Sequence, residues 1–245
     1  MKTQALVLAA GKGSRMGGDL PKVLHPFLNR PLLHHVLDSL APLSDVKTAL
    51  ILGYQAQSIQ DACQNYDFEV VMQHEQLGTG HAVQQAISLI EASSVESVLI
   101  LPGDCPSIQT KTLNGLIDVL EDEELQAALL TAVLDDPAQF GRILKDAKGQ
   151  VRGIQEFKDC SPDQKQINEI NSGIYIFRKA TFLKALKNLD NKNSQGEFYL
   201  TDVIAQFYHQ GFKIKAITVK NIQEVMGVNT HDELKALETF HKINS

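Results

Sequence analysis

The amino-acid sequence predicts a Rossmann-like, doubly wound α/β fold, a mainly parallel sheet covered by helices on both faces, with a small β-rich lobe. Two observations predict it. In the first half, short aliphatic runs alternate with segments whose apolar residues recur at helical spacing. Two polar, glycine-marked loops follow directly on such runs, after Ala10 and after Leu101. Sheets of this type put their ligands at those loops, beyond the carboxyl ends of the strands.

Residues 4–9 read as a buried first strand. Lys2 and the apolar run after it look briefly like a secretory signal, but the run stops at Gly11-Lys12-Gly13, too soon for a secretory core. Leu32, Leu33, Val36, Leu37 and Leu40 then predict a helix, and residues 47–52 and 69–73 two further strands. Ala82, Val83, Ala86, Ile87 and Ile90 mark a second helix. Residues 98–101 form a fourth strand, closed by Pro102-Gly103-Asp104. From about residue 126 the alternation loosens. Residues 127–134, 141–144, 151–156 and 173–177 read as strands with little helix between them. Residues 182–186 and 203–208 read as helices, 213–219 as a strand and 231–240 as a closing helix. The expectation is a single unit, 1–245, whose second half (126–245) extends the sheet of the first (1–125) and carries the β-rich lobe.

Composition excludes several classes. The chain has 245 residues, 43% hydrophobic and 21% charged, ordinary for a globular protein and unlike a disordered or fibrous one. With 23 Lys and Arg against 29 Asp and Glu, the net charge is −6, which argues against a nucleic-acid partner. A local basic cluster can still hold phosphates. No run approaches the roughly 18 apolar residues of a membrane span. Cys63, Cys105 and Cys160 are widely spaced and form no CxxC, so the expectation is a cytoplasmic protein with reduced thiols.

The strongest local signal is the segment from Leu8-Ala9-Ala10 through Gly11-Lys12-Gly13-Ser14-Arg15-Met16 to Pro21-Lys22. Glycines allow close approach of a ligand and turn backbone N–H groups toward an anion. Arg15 can fork two phosphate oxygens, and Lys22 supplies a compact charge. The segment is neither a dinucleotide GxGxxG nor a Walker loop. A tight turn with solvated basic residues is the plainer alternative.

Gly11-x-Gly13-Ser14-Arg15-Met16-x4-Pro21-Lys22 resembles the signature of the nucleotide-sugar pyrophosphorylases, and Val23-Leu24-His25 narrows the resemblance to N-acetylglucosamine-1-phosphate uridyltransferases. Further blocks agree in order: residues 73–82 (Gln73, Gln76-Leu77-Gly78-Thr79-Gly80), Gly103-Asp104-x-Pro106, Phe140-Gly141-Arg142-Ile143, Glu156-x-Lys158-Asp159, Glu169 to Ile174, Gln195 to Asp202 and Gly227-Val228-Asn229. Such a family implies a nucleotide-diphospho-sugar transferase fold whose β-rich lobe binds sugar. It implies the reaction of UTP with N-acetylglucosamine 1-phosphate, with Mg²⁺, to give UDP-N-acetylglucosamine, a cell-wall precursor, and pyrophosphate. The family usually forms the first half of a bifunctional enzyme whose second half is an acetyltransferase β-helix of hexapeptide repeats. This chain shows no such repeat, so a uridyltransferase unit alone is expected, with its oligomeric state open.

The resemblance also implies roles. Gly11, Gly13, Ser14 and Arg15 would hold the UTP phosphates, with Arg15 on the leaving pyrophosphate. Lys22 would sit near the α-phosphate. Gln73, Gln76 and Gly78, with the Leu8-Ala9-Ala10 backbone, would read the uracil, and Thr79 would face the ligand from a helix start. Asp104 and Asn229 would bind Mg²⁺, an oxygen-preferring cation. Arg15, Lys22 and Asp104 are the expected catalytic set. Gly141, Glu156, Asn171 and Tyr199 would hold the sugar. Each has a plainer alternative: Asp104 a turn residue, Asn229 the N-cap of the last helix, Gln73 a solvent-facing strand end, Glu156 an ordinary strand carboxylate. His81 reads as packing or capping. Two residues depart from the family pattern. Pro102 replaces an aromatic or hydroxyl residue, and Ser14 replaces Thr. Another sugar, another nucleotide, or a non-catalytic sensing relative are the competing functions.

Overall fold

A computed structural model describes residues 1–244, without the side chains of Ser14 and Asn244. The chain opens on β1 (Thr3–Ala9). A polar loop and a short hairpin, β2 (Pro26–Phe27) and β3 (Arg30–Pro31), lead into α1 (Leu32–Leu40). Next come β4 (Val46–Leu52), α2 (Ala56–Ala62), β5 (Glu69–Met72), α3 (Thr79–Gln84) and α4 (Ile87–Ala92). They are followed by β6 (Ser97–Pro102), α5 (Thr110–Asp118) and β7 (Leu125–Val133). The hairpin β8 (Arg142–Lys145) and β9 (Val151–Gln155) and the short α6 (Pro162–Lys165) precede β10 (Glu169–Arg178). Then α7 (Lys179–Lys187), α8 (Asp202–His209), β11 (Lys213–Thr218) and α9 (His231–Asn244) complete it.

The main sheet runs β11-β7-β10-β6-β1-β4-β5. β1 pairs in parallel with β4 and β6, and β4 with β5, so their carboxyl ends lie on one side. β10 lies antiparallel between β6 and β7. The β8–β9 hairpin joins β10 through Ile170 and Arg142 and is the β-rich lobe.

The continuous apolar runs have a simple cause. Strand side chains alternate between faces, so a strand covered on both must be apolar throughout. Ala5, Val7 and Ala9 of β1 face a core filled from α1, α2 and α5 by Leu33, Val36, Ile59 and Leu113. Leu6 faces the opposite core, with Val83, Ile90, Phe182, Val203 and Phe207 of α3, α4, α7 and α8. A third, smaller cluster holds Met16, Phe27, Leu32, Val228, Leu234 and Leu237. It fastens α9 and the segment before it to the loop after β1.

The predicted doubly wound class is the one observed, with several differences. The single helix expected around residues 82–90 is broken between α3 and α4. Ala86 takes φ −87° and ψ 0°, and its N–H donates at 3.0 Å to Val83 O, a tightened turn. Both halves still turn apolar residues to one core. β10 starts at Glu169, not Gly173, because a register shift between Asn171 and Tyr175 interrupts its alternation. Helices α2 and α5 lie where no element is expected. No helix among the described residues is long and apolar enough to cross a membrane.

Candidate active site

A cavity of about 410 Å³ opens at the carboxyl ends of β1, β5 and β6. Leu8, Ala9, Ala10, Gly11 and Lys22 line one part, and Gln73, Gln76, Gly78 and Thr79 another. Pro102 and Asp104, then Glu156, Asn171, Gly173 and Tyr175, complete the far wall with Glu197, Leu200 and Thr201. A smaller pocket of about 270 Å³ adjoins it, lined in part by Asp104, Gly141, Glu156, Asn171 and Asn229.

Three distant segments converge where the pockets meet. Lys22 forms an ion pair with the Asp104 carboxylate, and its Nζ donates to Asn229 Oδ1 at 2.9 Å. Arg15 Nη2 donates to the same Asn229 oxygen at 3.1 Å. Local structure explains the placement. A 3-10 turn at Ser14–Met16 buries Met16 and leaves Arg15 exposed. Gly13 has φ +61°, and a Cβ there would collide with the Lys22 side chain. Only glycine suits both constraints. Gly227 approaches Asp104 closely, since an added Cβ would lie 3.2 Å from its Oδ1. Val228 N donates at 2.9 Å to Asp104 O and ties the two segments together.

Asn229 is not the cap of α9. Glu233 Oε2 accepts from Asn229 N at 2.6 Å and Thr230 N at 3.1 Å, while Thr230 Oγ1 accepts from Glu233 N at 3.2 Å. That is a capping box built on Thr230, so the Asn229 side-chain oxygen is left for Lys22 and Arg15. The converging oxygens of Asp104 and Asn229 share one ammonium ion. Two hard oxygen donors aimed at one cation suit a divalent ion that takes its other ligands from phosphates.

Gln73 is buried at the end of β5, with its N–H bonded to Leu52 O at 2.7 Å. It does not face solvent. Its Nε2 donates to Gly78 O at 3.2 Å and lies 3.1 Å from His81 Nδ1. Gly78 has φ +109° and ψ 173°, a conformation kept for glycine. A Cβ there would lie 2.6 Å from Phe198 O. Gly78→Ala is therefore expected to cost about 1–3 kcal/mol, read from chemical denaturation. An unchanged midpoint would mean that the 78–80 and 197–200 segments part freely. Thr79 opens α3 and lines the cavity, and its Oγ1 accepts from Leu200 N at 3.3 Å.

On the far wall, Asn171 Nδ2 donates to the Tyr175 hydroxyl at 2.6 Å, and its Oδ1 accepts from Gly173 N at 3.2 Å. Thr201 Oγ1 donates to Glu156 Oε1 at 3.2 Å. Burial raises the Glu156 pKa against that bond, and the carboxylates of Asp202, Asp159 and Glu197 add to the rise. Tyr199 lies apart from both pockets: its hydroxyl accepts from Gln195 Nε2 at 2.7 Å and donates to Asp159 Oδ2 at 3.2 Å. Lys12 also turns away, with its ammonium 5.6 Å from the Tyr54 ring centroid. The Ser14 side chain lies outside the described residues. The lining residues Tyr175, Glu197, Leu200 and Thr201 were not anticipated. Tyr175 is hidden in an apolar strand. The other three fall in an aperiodic segment that gives no hint of which side faces inward.

Asp202, in the first turn of α8, has its pKa raised from 3.8 to about 6, first by burial and then by Asp190 and Asp159. The folded value exceeds the ordinary one, so the fold favours the protonated acid and ionisation costs stability. That cost is absent below pH 3.8 and complete above about pH 6. Asp202→Asn should raise the melting temperature at pH 7 and leave it unchanged near pH 3.5. An equal shift at both pH values would refute the assignment.

Comparison with known proteins gives the family and the fold of the chain. Residues 5–198 match the family model of the MobA-like NTP transferase domain. Over 239 residues the chain is 42% identical to the "Bifunctional protein GlmU" of Burkholderia mallei (strain SAVP1), and likewise to that of Burkholderia pseudomallei (strain K96243). It is 41% identical to that of Burkholderia orbicola (strain MC0-3). Each alignment covers 98% of this chain and 52% of the relative, so the chain spans about half the length of these curated relatives. The fold resembles that of a UDP-glucose pyrophosphorylase complexed with UDP-glucose, with TM-score 0.78 over all of both chains at 16% identity. At that identity the likeness is one of fold.

Proposed function

We propose that this chain, which belongs to the MobA-like NTP transferase domain family and is thereby a nucleotidyltransferase, transfers the uridylyl group of UTP to N-acetylglucosamine 1-phosphate. The observation that carries the proposal is the meeting of Arg15, Lys22, Asp104 and Asn229 between two pockets. One pocket suits a nucleotide and the other side a sugar. The choice of this nucleotide and this sugar follows the motif resemblance to the N-acetylglucosamine-1-phosphate uridyltransferases.

A phosphate oxygen of the sugar 1-phosphate attacks the α-phosphorus of UTP. The bond to the β-phosphate's bridging oxygen breaks, and pyrophosphate leaves. The attacking oxygen is already anionic, so no general base is needed. The demand is positioning and charge stabilisation. In this reading Gly11, Gly13 and Ser14 present backbone N–H groups to the phosphates, Arg15 holds the leaving pyrophosphate and Lys22 offsets charge at the α-phosphorus. Gln73, Gln76, Gly78 and Thr79 face the base, beside the Leu8-Ala9-Ala10 backbone. Gly141, Glu156 and Asn171 face the sugar, and Tyr199 supports that wall through Asp159. Asp104 and Asn229 would hold Mg²⁺, which when bound neutralises phosphate oxygens. In this reading residues 1–125 serve mainly the nucleotide and 126–245 mainly the sugar, with Asn229 crossing to the metal.

A pyrophosphate-release assay tests the proposal with Mg²⁺, the four nucleotides UTP, CTP, GTP and dTTP, and two acceptors. Highest turnover is expected with UTP and N-acetylglucosamine 1-phosphate. A preference for glucose 1-phosphate would overturn the sugar, and a preference for another nucleotide would overturn the base.

A further inference from the structure

We propose that His81 is a positioning residue that sets the base preference of the cavity, by fixing which atom of Gln73 the nucleotide meets. The inference rests on the reading of Gln73 as the residue facing the base. Gln73 is only 4% exposed, and its amide nitrogen lies 3.2 Å from Gly78 O and 3.1 Å from His81 Nδ1. A carbonyl oxygen can only accept, so the end of the amide toward Gly78 is the NH₂ end. One proton goes to Gly78. The second points at His81 Nδ1, which accepts it when the ring proton sits on Nε2. Both amide donors are then spent inside the protein.

The polar atom of Gln73 left for the cavity is Oε1, an acceptor. Uracil carries a proton on N3 and can donate to it. Cytosine has a lone pair at N3, which would meet the lone pairs of Oε1. Turning the amide over would serve cytosine, but would set Oε1 against Gly78 O and leave His81 Nδ1 without a donor. Rejection by unpaired polar groups is the strong form of discrimination. His81 is itself held. It sits in the first turn of α3, and its ring packs 6.2 Å from that of Phe198. Its Nε2 lies 3.1 Å from Gln85 Nε2, one turn on, which also donates to His81 O at 3.1 Å. Gln85 is exposed, so its amide can turn its oxygen toward the Nε2 proton and exchange the bond to His81 O for one to solvent, whereas buried Gln73 has no such exchange.

The test compares kcat/KM for UTP and CTP in the full chain, with N-acetylglucosamine 1-phosphate as acceptor. H81L removes the acceptor at Nδ1. It is expected to lower the UTP/CTP ratio about tenfold, the worth of one hydrogen bond, without moving the ratio between sugar acceptors. H81N keeps an acceptor oxygen and should retain more of the base preference. Should H81L fail to fold, Gln85→Leu on the exposed face frees the ring tautomer and should shift the UTP/CTP ratio in the same direction. A folded H81L with the wild-type ratio, or an equal loss for both nucleotides, overturns the proposal. Absence of any UTP preference in the wild type overturns the reading of Gln73 and the proposal with it, and shows before any substitution is made.

Discussion

Lys22→Ala is expected to slow pyrophosphate release at saturating substrate at least about tenfold, equivalent to roughly 1.4 kcal/mol of barrier. Asp104→Ala should do the same. The two side chains form one ion pair, and both reach toward Asn229 or its neighbours. Removing Lys22 leaves the buried Asp104 carboxylate without its ammonium partner and the transferring phosphate without a compact charge. Removing Asp104 leaves Lys22 with the Asn229 carboxamide. Residues that act together lose their effects non-additively. The double variant should therefore be much less than the product of the two losses. Thermal melts on the same samples separate lost chemistry from lost folding. Folded single variants with wild-type turnover would refute the catalytic assignment.

Phe177→Ala is expected to cost about 3–5 kcal/mol, the range for truncating a buried phenylalanine. Phe177 is wholly buried in β10. Its ring stacks on Phe182 with centroids 4.3 Å apart and meets Phe207 edge-on at 5.8 Å. Tyr175, which lines the cavity, lies 5.7 Å away on the same strand. The ring therefore joins the central strand to α7 and α8 and supports the cavity's far wall. For a chain of this size that loss corresponds to a fall in melting temperature of roughly 6–20 °C. A calorimetric loss under about 1 kcal/mol would mean that the core closes over the missing ring.

The parts legible in the sequence are those with local causes. β1, β4 and β6 announce themselves because both faces are buried and their stretches 5–9, 49–52 and 98–101 are apolar at every position. α1 shows a full apolar stripe from Leu32 to Leu40. α2 does not, because Ile59 is its one buried residue. The first four residues of β10 alternate Glu169, Ile170, Asn171 and Ser172, and the register shift that follows hides their continuity with Gly173. Pairing order is not a local property, and nothing in residues 169–178 states that they enter antiparallel between β6 and β7. The site divides the same way. The glycine loop is visible as a motif, and family resemblance pointed to Lys22, Asp104 and Asn229. Their meeting joins positions 82 and 207 residues apart, and only the fold supplies it. A conspicuous tyrosine in a matching block says nothing of which way its ring turns, and Tyr199 lines neither pocket. Asp159 and Gln195 hold it away from the pocket.

The position of β10 also dictates an order of assembly. β6 and β7 are made early, yet neither can pair with the other, because the strand between them is made later. During synthesis, β6 keeps one open side until residue 178 has emerged, and β7 waits for the same strand and then for β11. Open strand sides template pairing with other chains, and pairings between distant segments form slowly. The nascent first half is therefore the aggregation-exposed stage in the life of this protein, and arrival of β10 closes two open sides at once.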